Sequence, residues 1–570
     1  MTSPLKQVNL QRKPLVPKAA SVYDKVFSGQ GVSDKDWAEF FILPVSSEHL
    51  RKTLSENTLA IKDQNYGIIH TIFKQGALNL AGPDILLVKN SLQVLGVVFE
   101  YLFEQNLTNT QIMAAISDIS TFDKIFQDLV LGVSKVLAAD PKVALDFLLK
   151  LLPEAWPTNV ATLITSRNIF RPLIATIDSP QAVKGLTLIG LFCLLNKREE
   201  HIDPYRVRIC DFVDEDTIIK ALNIVAIQLT LVLPPPKPSS WMAFFQSTPQ
   251  PDQPEVSCSP LTILPFVYEF CLHNEIFPVQ FARHNAFKAF VETSTVVVQS
   301  QHSQTHLREY SILILFITRI LVESRLVFPE LCDENNKQVM MVAQFRNPKL
   351  SPNHSPRVPL EGLLDIIHCC LRFNVRRKID HFMYHQALFA LLQSIYSLKM
   401  FPTIFGYDWQ HLWRTLFSIL NFIAGQSESD DKATCQLLLM TLALFCLNPG
   451  LTGEDYQFLI KELFHSQTFI SKISLKFELS QSASMAVVNA VVGQYELLKS
   501  QDSSLTMTSE NVSQIVKQAT YALSASGQEK DSLALTADGR IEMYSEFKHL
   551  RFFAKEARIL LADIKTAYSP

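Results

Sequence analysis

The sequence predicts an all-α chain whose helices stack in an extended array. Three observations carry that expectation: glycine is scarce, apolar residues recur at three-to-four-residue spacing, and prolines punctuate the periodic stretches. Only 17 glycines stand among 570 residues, about half the usual share of roughly 7%. Doubly wound sheets and phosphate-binding loops need glycine for tight turns and close backbone approach; helix-on-helix packing does not. Hydrophobic residues make up 48% and charged residues 19%, enough to fill a large core and too apolar for a disordered chain. The net charge of −3 supplies no global field for nucleic acid.

Taken in order, residues 1–20 form a basic tail with Lys6, Arg12, Lys13 and Lys18 and no acid before Asp24. It has no apolar core of a secretory signal and reads as a solvated leader. Residues 21–232 predict an N-terminal helical array. Ser33 with Asp36 resembles a capping box. Ile85, Val88, Leu92, Leu95, Phe99, Leu102 and Phe103 form one apolar stripe. Asp140–Pro141 and Ser179–Pro180 read as helix starts, while Pro153, Pro157 and Pro204 are expected between helices. Residues 233–258 predict a proline-rich linker, 259–346 a middle array, and 347–359 a second proline-rich loop with Pro348, Pro352, Pro356 and Pro359. Residues 360–499 predict a C-terminal array, where Leu388, Leu391, Leu392, Ile395 and Tyr396, then Trp409, Leu412, Trp413, Leu416, Leu420 and Ile423, repeat the helical stripe. Residues 500–570 form a terminal helical unit behind a Ser/Thr-rich run. Helix, short loop, helix over several hundred residues without a strict consensus predicts a degenerate armadillo- or HEAT-like α-solenoid.

The apolar runs Ala433 to Leu447 and Ser311 to Ile317 fall short of the roughly 18–20 clean residues of a membrane span. Buried array helices are apolar all round for the same reason. An integral membrane protein using 433–447 stays as an alternative.

Chemistry-bearing motifs are sparse. The chain holds no Walker loop, no G-x-G-x-x-G, no G-x-S-x-G and no H-E-x-x-H. The nine cysteines are scattered without a C-x-x-C pair, the usage of reduced thiols that pack as small hydrophobes. His381 and His385 have the spacing of two metal ligands on one helix face, but Phe382 stands where a zincin carries its glutamate, so helix-surface histidines are expected. His368-Cys369-Cys370 lies in greasy surroundings and reads as core. Asp211, Asp214, Glu215 and Asp216 read as a helix-start anion cluster. Arg376, Arg377 and Lys378 close an apolar helix and offer a contact for anionic lipid. The island around Trp241, Phe244 and Phe245, inside a polar proline-rich stretch, is a candidate partner anchor. No cofactor, metal, nucleic acid or small-molecule substrate is implied, and the reading is a non-enzymatic scaffold.

Further residues carry a resemblance. Tyr23-Asp24 with Phe27, Trp37, Glu39 and Phe41, then Ile61-Lys62-Asp63, open the chain; Asn196 leads to Pro204-Tyr205 and Asp214. Tyr407-x-Trp409-x-x-Leu412-Trp413-x-x-Leu416-x-x-x-Leu420-x-Phe422 is the most specific segment, and Tyr544-Ser545-Glu546 and Phe552-Phe553 close it. In these the chain resembles the Golgi-associated armadillo-like helical domain-containing protein family, once described as uncharacterised membrane proteins. The resemblance implies a peripheral scaffold on the cytosolic face of the Golgi. Its partners would be phosphatidylinositol 4-kinase beta and the Golgi guanine nucleotide exchange factor for Arf GTPases, and it would support phosphatidylinositol 4-phosphate, Golgi organisation and secretory traffic. A trafficking adaptor with other partners is the alternative. The family's kinase-contacting stretch aligns with Glu330 to Asn335: Leu331, Asp333 and Asn335 match, whereas Glu330 and Cys332 stand where the family carries an aromatic and a histidine.

Overall fold

The computed structural model describes residues 18–568 apart from 30–31, 57–65, 198–202, 233–255, 302–303, 305, 343–354, 376–378, 402–405, 426–429, 448–452, 502–507 and 526–541. Among the described residues the regular elements are helices, and one isolated antiparallel bridge joins Gln338 to Arg357. The fold is all-α and solenoidal. The chain divides into two compact units: residues 1–205 with 561–570, and residues 206–560.

In the first unit, Gly67–Ala81 packs on Ile85–Glu104 and on Ile119–Ala139, and Ile85–Glu104 packs on Ser47–Glu56 and on Pro141–Ala155. Each helix therefore meets its chain neighbour and a helix of the next pair, which is how stacked helical hairpins bury a stripe that no single pair can cover. The Ile85 stripe is the core side: Val88, Leu92, Leu95, Phe99 and Leu102 are buried. Ser33 and Asp36 form the expected capping box. Two other starts differ. Pro141 does open a helix, but the Asp140 carboxylate is drawn to Lys89 instead of capping. The helix expected at Ser179–Pro180 begins at Ala182, because Ser179 closes a 3-10 turn and its hydroxyl accepts from the Gln181 N–H. Pro153 lies inside the last turn of Pro141–Ala155 rather than between helices, and the helix ends two residues later. Ile85–Glu104, which sequence periodicity marked only as amphipathic, is the one described helix long and apolar enough to cross a membrane, and 61% of that stretch is buried inside the protein.

The second unit has two helical layers. One runs Glu215–Thr230, Asn285–Ser300, Pro359–Phe373, Trp409–Ala424, Gly453–Lys476 and Ser509–Ala525; the other runs Leu264–His273, His306–Glu323, His381–Met400, Asp430–Cys446 and Ala483–Gln501. Successive members of each layer pack side by side, and consecutive helices pack across the layers. Asp214 caps the first helix through the Thr217 N–H, with Glu215 and Asp216 in the first turn, so the acidic run is a helix-start cluster. Trp409 and Trp413 are buried and meet Phe445 edge-on across the layers. The 433–447 run belongs to Asp430–Cys446, whose Cys435, Leu438, Leu442 and Phe445 lie in this core.

Onto the second layer docks a segment from the end of the chain. Arg319 is 1% exposed. Its guanidinium donates to Glu323 (2.5 Å), to the Gln386 side chain (2.9 Å) and to the Glu542 carbonyl, and it lies over the Phe389 ring. The other Glu323 oxygen accepts from the Tyr544 N–H at 2.6 Å. Tyr544 hydrogen-bonds the Tyr268 hydroxyl, which donates to Glu546; Arg206 pairs with the same carboxylate. Phe316 sits among Tyr544, His549, Phe552 and Phe553. A buried cation whose partners stay behind leaves uncompensated charge, so Arg319→Ala should destabilise the second unit by roughly 3–5 kcal/mol, read from urea denaturation. Arg319→Met, which restores volume but leaves Glu323 unpaired, should recover only part of that loss, and Arg319→Met with Glu323→Leu more of it.

Candidate partner-binding loop

Three of the candidate contact residues lie among the described residues, Leu331, Asp333 and Asn335, with Glu330 beside them. Pro329 opens the short helix Phe328–Cys332. Leu331 and Cys332 turn inward, and Leu331 is fully buried. Leu331 is therefore an anchor of the loop and not a contact, a correction that follows from its apolar side chain closing the core beneath the helix. Glu330 is gripped by the Arg283 guanidinium in a fork, Nε at 2.7 Å and Nη2 at 2.6 Å. That hydrogen-bonded cation holds the Glu330 carboxyl below its ordinary range. The Asn336 amide also donates to the Glu330 carbonyl and carboxylate.

Past Cys332 the backbone turns. Asp333 Oδ1 accepts from the Asn335 N–H at 2.9 Å and from the Asn335 side chain at 3.0 Å, and so caps the 3-10 turn Glu334–Asn336. Asp333 is half-buried, while Glu334 and Asn335 are exposed. Downstream, Gln338 and Arg357 exchange two backbone hydrogen bonds at 2.9 Å. Arg357 then donates to the Met340 carbonyl (3.0 Å) and to Asp365 (2.6 Å). Met340 is buried against Gly362, where a Cβ would strike its sulfur at 2.8 Å. The loop is thus held at both ends and offers two carboxylates and an amide on a fixed backbone.

The remaining expectations fall out as follows. Trp241, Phe244 and Phe245, and Arg376, Arg377 and Lys378, lie outside the described residues. His381 and His385 are not solvated surface groups: both rings hydrogen-bond Thr434 Oγ1, at 2.8 and 2.9 Å, and His381 lies 3.5 Å from Asp431. They tie adjacent helices together. His368 is buried against Thr415, and burial pushes its imidazole down to about 3 and the Cys369 and Cys370 thiols upward. Buried thiols held protonated are poor nucleophiles. Glu269, His273 and Glu546 offer ligand atoms within 4.8 Å of one another, but Glu546 is engaged by Arg206 and Tyr268, and that guanidinium opposes a cation. In the first unit, two open clefts of about 460 Å³ run along Ser47–Glu56, Ile85–Glu104 and Pro141–Ala155. Their charges largely pair with each other, as in Arg51 with Glu104 and Lys565 with Glu154. The forked Glu330 and the Arg357 clasp were not foreseen; no local pattern marks partners that are 47 residues apart in one case and 17 in the other.

A pinned loop on a two-layer helical stack is the arrangement of a protein-binding helical scaffold. Residues 357–566 match the family model described as Armadillo-like helical domain-containing protein 3, C-terminal. Over 573 aligned residues the chain is 22% identical to a protein of Schizosaccharomyces pombe described as a UPF0588 membrane protein, with 93% of each chain covered. The motifs that carried the resemblance are structural anchors. Asn196 bonds the Thr165 carbonyl and Asp203, Tyr205 donates to the Arg167 carbonyl, and Tyr23 is buried beneath Ser46.

The helix beside the loop carries a buried acid pair. Glu361 is held near 7 and Asp365 near 6, raised by burial in spite of Arg357. Because the folded chain holds the Glu361 proton more tightly than an unfolded one, the contribution of this group is complete below its ordinary 4.5 and is lost as pH rises through about 7. Glu361→Gln, which stays neutral, should therefore gain on the unmodified chain between about pH 5 and pH 8, by roughly 3 kcal/mol at the upper end, in paired thermal melts.

Proposed function

We propose that this chain is a non-enzymatic scaffold, peripheral on the cytosolic face of the Golgi. It holds a phosphatidylinositol 4-kinase of the beta type, an Arf guanine nucleotide exchange factor, or both, and so sustains phosphatidylinositol 4-phosphate and secretory traffic. The observation that carries the reading is the rigid loop Asp333-Glu334-Asn335. Its carboxylates stand on a backbone held by Arg283 and Arg357, so little ordering entropy is lost when a partner binds. Armadillo-like repeats typically work as non-catalytic binding surfaces, and tethering a kinase beside its lipid raises effective concentration without chemistry of the scaffold's own.

A second reading, an integral membrane protein, is favoured by two observations: the S. pombe relative is described as a membrane protein, and Ile85–Glu104 is long and apolar enough to span. Against it, Asn90 within that helix donates to the Ile42 and Leu43 carbonyls and is buried, a contact made inside a folded unit. Carbonate extraction of membranes separates the two: a scaffold is released and a spanning protein is retained. For the partner, purified chain should capture phosphatidylinositol 4-kinase beta. Asp333→Lys with Asn335→Ala should then weaken capture by roughly tenfold or more with the melting temperature kept. Capture unchanged in that variant removes the loop from the interface. Absence of capture by the unmodified chain transfers the scaffold role to whichever proteins co-purify.

A further inference from the structure

The docked terminal segment sorts its charges between its two sides. From 543 to 560 the acidic residues are Glu546 and Glu556, and both are buried. The lysines and arginines are Lys548, Arg551, Lys555 and Arg558, and all four are exposed. Beside them stand Met543, Phe547 and Leu550 with their apolar side chains in solvent, Phe547 at 76% exposure. The spacing puts these groups together. Phe547, Leu550, Arg551 and Arg558 stand three, four and seven residues apart along one side, whereas Phe552, Phe553, Glu556, Ala557 and Leu560 form the opposite, buried stripe. Lys548 pairs with Glu542 and Lys555 with Glu309. Among the described residues no carboxylate lies within ion-pair distance of Arg551 or Arg558.

We infer that this outward face binds an anionic lipid surface. Phe547, Leu550 and Met543 enter the interfacial layer, and Arg551, Arg558 and Lys548 meet lipid phosphates. An apolar edge flanked by long basic side chains is the pattern of a helix that lies in the plane of a membrane interface. Each cation held near an anionic leaflet adds to the affinity, and the arginine and lysine stems let the charged heads reach the phosphates while their carbons stay with the apolar edge. The face is carried by the 3-10 turn Glu546–His549, the residues just before it and the start of the helix Leu550–Tyr568; a bilayer interface asks for no matching relief, whereas a protein partner would need one. The face is held by the Arg319 cluster and by Phe552 and Phe553, so it is ordered before the membrane is met. The inference deepens the peripheral-membrane part of the proposed function, and its test needs neither kinase nor exchange factor.

The experiment is co-sedimentation of the purified full chain with phosphatidylcholine vesicles, with and without phosphatidylserine. The chain should sediment with the phosphatidylserine vesicles, lose binding as salt is raised, and leave pure phosphatidylcholine vesicles largely unbound. Arg551→Glu with Arg558→Glu should weaken binding by roughly tenfold or more, and Phe547→Ser should weaken binding to the phosphatidylserine vesicles. These side chains are exposed, so circular dichroism and melting should stay unchanged. Binding of equal strength by the charge-reversed variant overturns the proposal, as does failure of the unmodified chain to bind phosphatidylserine vesicles. A face that instead captures an acidic protein while ignoring vesicles also overturns it.

Discussion

The second unit is organised around one buried cation. Removing a guanidinium from water costs several kcal/mol unless its donors are met, and Arg319 meets them with a carboxylate one turn along its own helix, an amide on the neighbouring helix and a main-chain carbonyl from the end of the chain. The last of these dictates topology. Residues 542–544 must cross the His306–Glu323 helix at that point, and once there Tyr544 and Glu546 complete the tyrosine and arginine contacts at Leu264–His273. The aromatic cluster around Phe316 then fills the space between. The start of the final helix is then held by Phe552 and Phe553 against Phe316 and by Lys555 on Glu309.

Local physics made the helices legible. Periodicity marked the core side of Ile85–Glu104 and of Trp409–Ala424, Ser33 and Asp36 formed the box their spacing announced, and Asp214 capped the helix its acidic neighbours flanked. Competition between partners was not legible. Asp140 looks like a cap in isolation, yet Lys89, 51 residues away, takes the carboxylate. Arg319 reads from sequence as an interruption of an apolar run, because the groups that make it tolerable lie 67 and 223 residues off. At the candidate loop the family's residue pattern named Asp333, Asn335 and Leu331 alike, yet Asp333 is half-buried, Asn335 exposed and Leu331 buried. A matching residue can be kept for packing as readily as for contact, and a short helix alternates the two within one turn.

The loop also shows how a solenoid can present a small polar surface without a cleft. Arg283 and Arg357 act from opposite ends, one holding the helix that enters the loop and the other clasping the strand-like stretch that leaves it. The second clasp rests on Asp365, on the helix that also carries Glu361 and packs Gly362 against Met340. A binding surface and a titrating acid pair therefore share one support, which couples the geometry of the loop to the protonation of a helix that never reaches the surface.

The distance in sequence between Glu323 and its bond to the Tyr544 N–H is 221 residues. In an ordinary helical array each pair leans only on its neighbours, so folding can spread as the chain leaves the ribosome. Here the early helices wait. Until synthesis reaches the 540s, the Arg319 pocket has no lid of main chain, and the nascent helices 264–323 carry a charge and an aromatic surface that nothing yet covers. The order of translation thus leaves an interval in which this charge and this aromatic surface stand uncovered.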